Sequence, residues 1–143
     1  MPNAVKFNNY SEQKNKGTHK WGSDVFKVFL TNNLPVNTNT VLANITQIAA
    51  TGGYVPATLG GPLTIAEAGG ITTVQAAQVV FTASGAAMGP FRYYGIYNDT
   101  PTTPLIDPLV MFWDHGSNVT LNDGDSFTIK FNGTTPGIIF TDQ

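Results

Sequence analysis

The sequence predicts an all-β protein, either an antiparallel β-sandwich or a jelly-roll-like barrel, with an extended N-terminal arm. Two observations favour this fold class. Short β-branched and aromatic runs recur through residues 88–133, and each ends at Gly, Pro, Asn or Asp. Several of these runs alternate between apolar and polar residues, which is the period of a half-buried strand. About seven or eight short strands at this spacing are typical of a sandwich or a jelly roll.

The first strand is predicted over residues 23–31. Phe26, Val28 and Leu30 share one face there, because successive side chains of a strand point to opposite sides. The segment 41–50 that follows has apolar residues at helical spacing but is short, so we expect at most one or two helical turns.

The middle of the chain is predicted to form four strands, over residues 63–67, 71–83, 91–98 and 105–114. The first two flank a turn at Gly69 and Gly70. Pro108 has no N–H to donate to a ladder. It therefore marks an edge, a bulge or the true start of its strand.

The C-terminal part contains the cleanest strand pattern of the chain, in residues 125–131, and further strands are predicted over 117–121 and 137–140. Asn122, Asp123 and Gly124 separate 117–121 from 125–131. Asp-Gly between two strands is a strong hairpin signal. We therefore predict a hairpin with Gly124 in the left-handed conformation.

Residues 1–22 show no hydrophobic period and are predicted to form an extended arm in front of a single sandwich domain, 23–143. Four lysines and one glutamate give the arm a charge of +3, against −5 for the domain, which sum to the net −2. We expect this arm to contact a neighbouring subunit; the alternative is a solvated, partly disordered terminus. The candidate interface residues are Lys6, Phe7, Tyr10, Lys14, Lys16, Lys20 and Trp21, together with Arg92.

The composition argues against several functional classes. The chain has no cysteine, which excludes disulfides and thiolate metal sites. Its net charge of −2 argues against nucleic-acid binding. No apolar run is long enough to span a membrane and no signal peptide is recognisable, so we expect a protein made in the cytoplasm with no membrane partner. Thr and Asn are abundant, so the expected surface is uncharged and hydrogen-bonding.

Few residues suggest chemistry. Asp114, His115 and Ser117 are the residue types of a catalytic triad, but triad members normally come from distant segments. Asp123 and Asp125 carry carboxylates suited to calcium, yet a calcium loop needs about 6–8 oxygen ligands. A turn rich in Asn and Asp is the commoner explanation. We therefore expect no enzymatic activity, no cofactor and no metal site.

Two lone histidines and one arginine complete the candidates. His19 and His115 lack zinc-site spacing, and His19 is expected to be solvated. Arg92 is the single arginine and lies among aromatic residues, so it is expected either to act at an interface or in an ion pair, or simply to extend to the surface. The aromatic residues are expected in the core, with a sugar-binding platform as the alternative; they are Tyr93, Tyr94, Tyr97, Phe112 and Trp113.

Several sequence blocks resemble a group of small virion proteins of tailed bacteriophages. The blocks are SDVFKVFLTN, NITQIAATGGY, GPFRYYGIYNDT, PLI, FWDHGS and TLNDGDSFTIKF, and the resemblance extends over about residues 23–132. The resemblance rests on the order and spacing of the blocks. It implies a non-enzymatic capsid decoration, or cement, protein that is commonly a homotrimer. Its implied partner is the major capsid protein, and its location the capsid surface of a virion assembled in the host cytoplasm. Alternatives are a tail or fibre component and a carbohydrate-binding module.

Overall fold

The strands of this protein confirm the all-β antiparallel fold class. A computed structural model describes residues 3–59, 63–131 and 137–142. The elements in chain order are β1 (Val5–Lys6), α1 (Asn9–Asn15), β2 (Phe26–Thr31), a 3₁₀ turn (Leu42–Asn44), β3 (Ala57–Thr58), β4 (Thr64–Ala68), β5 (Ile71–Ala76), β6 (Val79–Thr82), β7 (Met88–Asn98), β8 (Leu109–Leu121), β9 (Ser126–Ile129) and β10 (Gly137–Asp142).

These strands form a sandwich and not a closed barrel. One layer is a five-stranded sheet with strand order β1-β8-β7-β2-β3. The other layer contains a three-stranded sheet, β10-β5-β4, and a two-stranded sheet, β6-β9. The main core lies between the layers. The predicted apolar face of the first strand is confirmed there, because Phe26, Val28 and Leu30 are all fully buried in it.

The five-stranded sheet is covered on its second face as well. A smaller apolar cluster occupies that face and consists of Phe7, Phe29, Tyr97, Leu109 and Phe112, with Leu42 and Ile45 packed against it. Gly95 permits this packing: a Cβ on it would lie 2.4 Å from the Phe29 ring. Residues 33–46, which we call the cover loop, therefore help to bury a face that a two-layer sandwich would leave to solvent.

Two predicted connections differ from those in the structure. The predicted strand 71–83 is two strands, β5 and β6, which belong to different sheets. The predicted hairpin at Asp123 and Gly124 is wrong, because β8 pairs with β7 and β1 whereas β9 pairs with β6. Gly124 does have positive φ, at +91°. The prediction of a tight turn is thus correct, but the turn connects a strand of one layer to a strand of the other.

Strand β8 is longer than predicted. It begins directly after Pro108, so this proline marks the true start of the strand. It then continues through the predicted break at Gly116. The register pairs Tyr93 with Asp114 and Phe91 with Val119. An advance of two residues along β7 is therefore paired with an advance of five residues along β8. The extra residues form an exposed bulge at 115–118, which explains why they resembled a turn.

The prediction of an extended arm over residues 1–22 is wrong for the part that the structure describes, residues 3–22, here called the N-terminal segment. Helix α1 occupies the middle of this segment. Phe7, Tyr10 and Trp21 are 1%, 2% and 7% exposed, and they pack in the two apolar clusters. The segment is therefore an integral part of the sandwich. A seven-residue helix is too short to show a period in the sequence, and its aromatic residues find their partners only in the folded domain.

Candidate interaction surface

Burial divides the predicted interface residues of the N-terminal segment into two groups. The three aromatic residues are in the core, and are thus unavailable to a partner in this conformation. The lysines face outward: Lys6, Lys16 and Lys20 are exposed and Lys14 is half-buried. Lys16 forms an ion pair with Glu12 one helical turn away. The segment therefore presents a cationic surface and not a free arm.

Stacked rings attach this segment to the sandwich. Trp21 stacks on Phe26 of β2 with ring centroids 3.8 Å apart and planes 5° from parallel. The Trp21 indole N–H donates a hydrogen bond to the Tyr10 hydroxyl at 2.9 Å. Burial raises the pKa of the Tyr10 phenol, although the bond from Trp21 opposes the shift. The polar tips of both side chains are thus satisfied inside the core.

His19 was expected in solvent but is only 5% exposed. Its Nδ1 lies 3.3 Å from the side-chain nitrogen of Asn98. That amide nitrogen also donates to Asp24 at 2.8 Å, and the amide oxygen accepts from the Thr100 N–H at 3.2 Å. These two bonds orient the amide so that its nitrogen faces His19. His19 Nδ1 is therefore an acceptor, and Nε2 carries the ring proton.

The protonation of His19 follows from this environment. Burial lowers the pKa of His19 to about 4, and the charge of Asp24 opposes part of that shift. The imidazole is consequently neutral at pH 7. Its Nε2 is buried and has no hydrogen-bond partner among the described residues. An unsatisfied buried donor is uncommon and costs free energy, so this atom marks a position where an acceptor would be stabilised.

A groove of about 380 Å³ lies between the N-terminal segment and the β4–β5 hairpin. One wall contains Lys14, His19, Trp21 and Gly22, and the other contains Ile65, Thr72 and Val74. No sequence pattern indicates this groove, because its walls are more than 40 residues apart along the chain and meet only in the folded protein.

Arg92 forms an ion pair across strands β7 and β8. Its Nε and Nη2 donate to the two carboxylate oxygens of Asp114 at 2.8 and 3.0 Å. The carboxylate also accepts the Gly116 N–H at 2.8 Å. Arg92 lowers the pKa of Asp114, and Asp114 in turn raises that of Arg92. Of the roles considered for Arg92, the structure thus shows the ion pair, which lies directly before the bulge at residues 115–118.

The triad-like residues are not arranged as a triad. The Asp114 carboxylate accepts hydrogen bonds from Arg92 and from the Gly116 N–H. His115 is exposed and places its ring edge-on to Phe127, with centroids 5.2 Å apart. Ser117 is exposed on the same bulge. The carboxylates considered for calcium instead bond the turn backbone, since Asp123 accepts the Gly85 N–H and Asp125 accepts the Asn122 N–H.

Within residues 3–59, 63–131 and 137–142, no group of three or more His, Cys, Asp or Glu side chains is placed to hold a metal ion. The same described residues include no helix that is long and apolar enough to cross a membrane.

The aromatic cluster is confirmed as core. Tyr93, Tyr94, Tyr97, Phe112 and Trp113 are all buried. A sugar platform would need aromatic faces open to solvent, which these side chains do not offer.

Comparison with protein-family models, with curated proteins and with solved structures gave no match.

Proposed function

We propose that this chain is a non-enzymatic structural protein of a tailed-phage particle, a capsid decoration or cement protein that clamps neighbouring subunits of the major capsid protein. The resemblance of residues 23–132 to small virion proteins supports this role. In this proposal the protein lies on the capsid surface as a homotrimer. Particles are assembled in the host cytoplasm, and the protein stabilises the shell by burying surface across the joints between subunits.

The observation that carries the proposal is the character of the outer surface around the cover loop. Leu34 and Val36 are 64% and 54% exposed there. They line a shallow groove of about 120 Å³ together with uncharged polar residues of the same loop. Uncharged surface of this kind costs less to desolvate than charged surface, and depletion of charge is typical of the core of a protein interface.

The structure changes how the N-terminal segment would take part. A free arm would reach across a joint, whereas this segment is held to its own sandwich by Tyr10 and Trp21. Its lysines therefore form part of a fixed docking surface. In this role they attract an acidic shell surface and speed the encounter more than they strengthen the final contact.

The copy number of the chain per purified particle, relative to the main shell protein, tests the proposed function. A number comparable to that of the shell subunits supports decoration. A handful of copies would overturn decoration in favour of a tail or fibre component. Absence from purified particles would overturn both.

Substitution of the exposed lysines tests the docking surface. We expect Lys6→Gln with Lys20→Gln to slow attachment to shells about tenfold at low salt and much less at 0.5 M salt, because screening shortens the reach of the charges. Lys130→Gln, on the exposed face beyond β9, is the control for loss of one lysine charge elsewhere on the surface. Equal attachment rates for the double variant and the control would show that the segment takes no part.

A further inference from the structure

Strand β4 is an open edge among the described residues. It pairs with β5 on one side, and no described strand lies on the other. All five of its residues are exposed. Natural edge strands are usually protected by lysine, proline or a bulge. The β4 sequence, TIAEA, contains neither lysine nor proline, its single charged residue is Glu67, and its register with β5 is regular. The strand is therefore free to accept another.

The register identifies which backbone groups face this edge. Gly69 and Gly70 both have positive φ and form a two-residue turn, so Ala68 and Ile71 are its hydrogen-bonded closing pair. Hydrogen-bonded pairs alternate along an antiparallel ladder. The N–H and C=O groups of Ile65 and Glu67 consequently point away from β5. They are the groups that an added strand would bond.

The groove opens beside the same edge. Ile65 belongs to both features, since it lies on β4 and also lines the groove. Trp21 and Val74 contribute buried apolar side chains. Gly22 leaves room, because a Cβ on it would meet only the Ile65 Cδ1, at 3.9 Å. A strand added to β4 would thus run past a recess that accommodates an apolar side chain.

Charge defines the occupant further. Lys14 lines the groove and residues 1–22 have a charge of +3, so acidic residues are favoured on the side of the N-terminal segment. Glu67, two residues from Ile65 on the same face of β4, disfavours acidic residues directly beside that strand. His19 also lines the groove, but its Nε2 is buried, so this donor is not presented to an occupant at the groove surface.

A second copy of β4 fits this edge poorly. Two such strands would pair about a two-fold axis perpendicular to the sheet. Both N-terminal segments lie on the Ile65 face, so the axis would bring the two cationic segments side by side. Like charges in close contact are destabilising, and a separate acidic segment avoids this repulsion.

We propose that β4 and the adjoining groove bind an extended acidic segment of another protein, which adds a strand to β4 and inserts one apolar side chain beside Ile65 and Trp21. Main-chain bonds to Ile65 and Glu67 supply affinity, and the groove supplies selectivity, as in other cases of strand addition. The proposal goes beyond the decoration role and does not depend on it, because its test requires no particle.

Two variants block the two parts of this site separately. Ile65→Pro removes an N–H that faces the open edge and is not bonded to β5, a position where an edge strand tolerates proline. Gly22→Phe fills the groove from an exposed position that has room for the side chain. Ser23→Phe is the matched control, because it adds the same ring to the next exposed residue, which does not line the groove. Thermal unfolding checks that all three fold.

The probe is a bead-displayed library of random twelve-residue peptides, screened with the full chain. We expect enriched peptides that are acidic and contain a large apolar residue. Their affinity should fall at least about tenfold, or about 1.4 kcal/mol, in Ile65→Pro and in Gly22→Phe, and remain within about twofold in Ser23→Phe. Hydrogen exchange on the complex should show new protection at the amides of Ile65 and Glu67.

Three results would overturn the proposal. One is an absence of enriched peptides relative to the unselected library. Another is peptide binding that is unchanged in Gly22→Phe. This variant tests the groove by itself, so the result decides the question even if Ile65→Pro does not fold. The third is self-association of the wild-type chain in sedimentation analysis together with a monomeric Ile65→Pro variant. The strand that pairs with β4 would then belong to a second copy of this chain.

Discussion

The N-terminal segment and the β4–β5 hairpin are opposites in sequence and in structure. The segment is polar and shows no period, yet its aromatic residues are almost completely buried. The hairpin has regular strands and a well-defined turn, yet β4 is exposed along its whole length. Local pattern therefore identified the hairpin but missed both the helix and the burial of the N-terminal segment, because burial depends on what packs against an element. The two regions also form the two walls of the larger groove.

The largest expected effect comes from removing the ring that ties the segment to the sandwich. Trp21→Ala should lower the free energy of unfolding by about 3–5 kcal/mol, because it leaves a cavity beside Phe26 and removes the partner of the Tyr10 hydroxyl. Chemical denaturation followed by circular dichroism measures this loss. Tyr10→Phe, which keeps the ring, is the milder control. A loss below about 1 kcal/mol for Trp21→Ala would mean that the segment is a detachable arm after all.

The next effect is a dependence of stability on pH through His19. Its folded pKa of about 4 is below its ordinary value of 6.5, so the unfolded chain binds the proton first as pH falls. The stabilisation is complete above pH 6.5 and is lost as pH falls towards 4, by about 3 kcal/mol in total.

Denaturation midpoints between pH 7 and 4 measure this loss. His19→Gln should flatten the dependence, whereas His115→Gln, at an exposed histidine, should leave it unchanged. If the His19→Gln variant kept the pH dependence of stability seen in the wild-type chain, the assignment of that dependence to His19 would be wrong.

The smallest effect is expected in the hairpin. Ile71→Thr keeps a β-branched side chain at a 36% exposed position. It should therefore cost no more than about 1 kcal/mol. The same denaturation experiment measures it. A cost close to that of Trp21→Ala would indicate that another part of the molecule covers the hairpin, and the contrast between the two regions would then disappear.

Much of the fold was predictable because it depends on local residue types. The alternation in residues 23–31 identified Phe26, Val28 and Leu30 as a core face. Gly69 and Gly70 identified the turn between β4 and β5, and Pro108 indicated an edge, a bulge or a strand start, of which the structure shows the last. Each of these signals acts within a few residues, since it reflects the period of a strand or the permitted φ angles of a turn.

The candidate site was less predictable. The lysines of the N-terminal segment were recognised from their charge, and they do lie at the surface. The groove was not recognised, because Trp21 and Ile65 are far apart in sequence and neither has an unusual neighbour. His19 was assigned to solvent for a similar reason: its polar surroundings in sequence are replaced by Tyr10 and Asn98 in the fold.

The sequence by itself determined the all-β class, most strand positions, the tight turns and the distribution of charge. These properties follow from side-chain alternation, backbone preferences and composition. Only the tertiary structure decided which layer each strand joins, that the Asp123–Gly124 turn crosses between layers, and that the N-terminal segment closes the core. The physical reason is that these outcomes depend on packing between residues distant in sequence. Apolar side chains such as Phe7 and Trp21 bury wherever the rest of the fold leaves a matching surface.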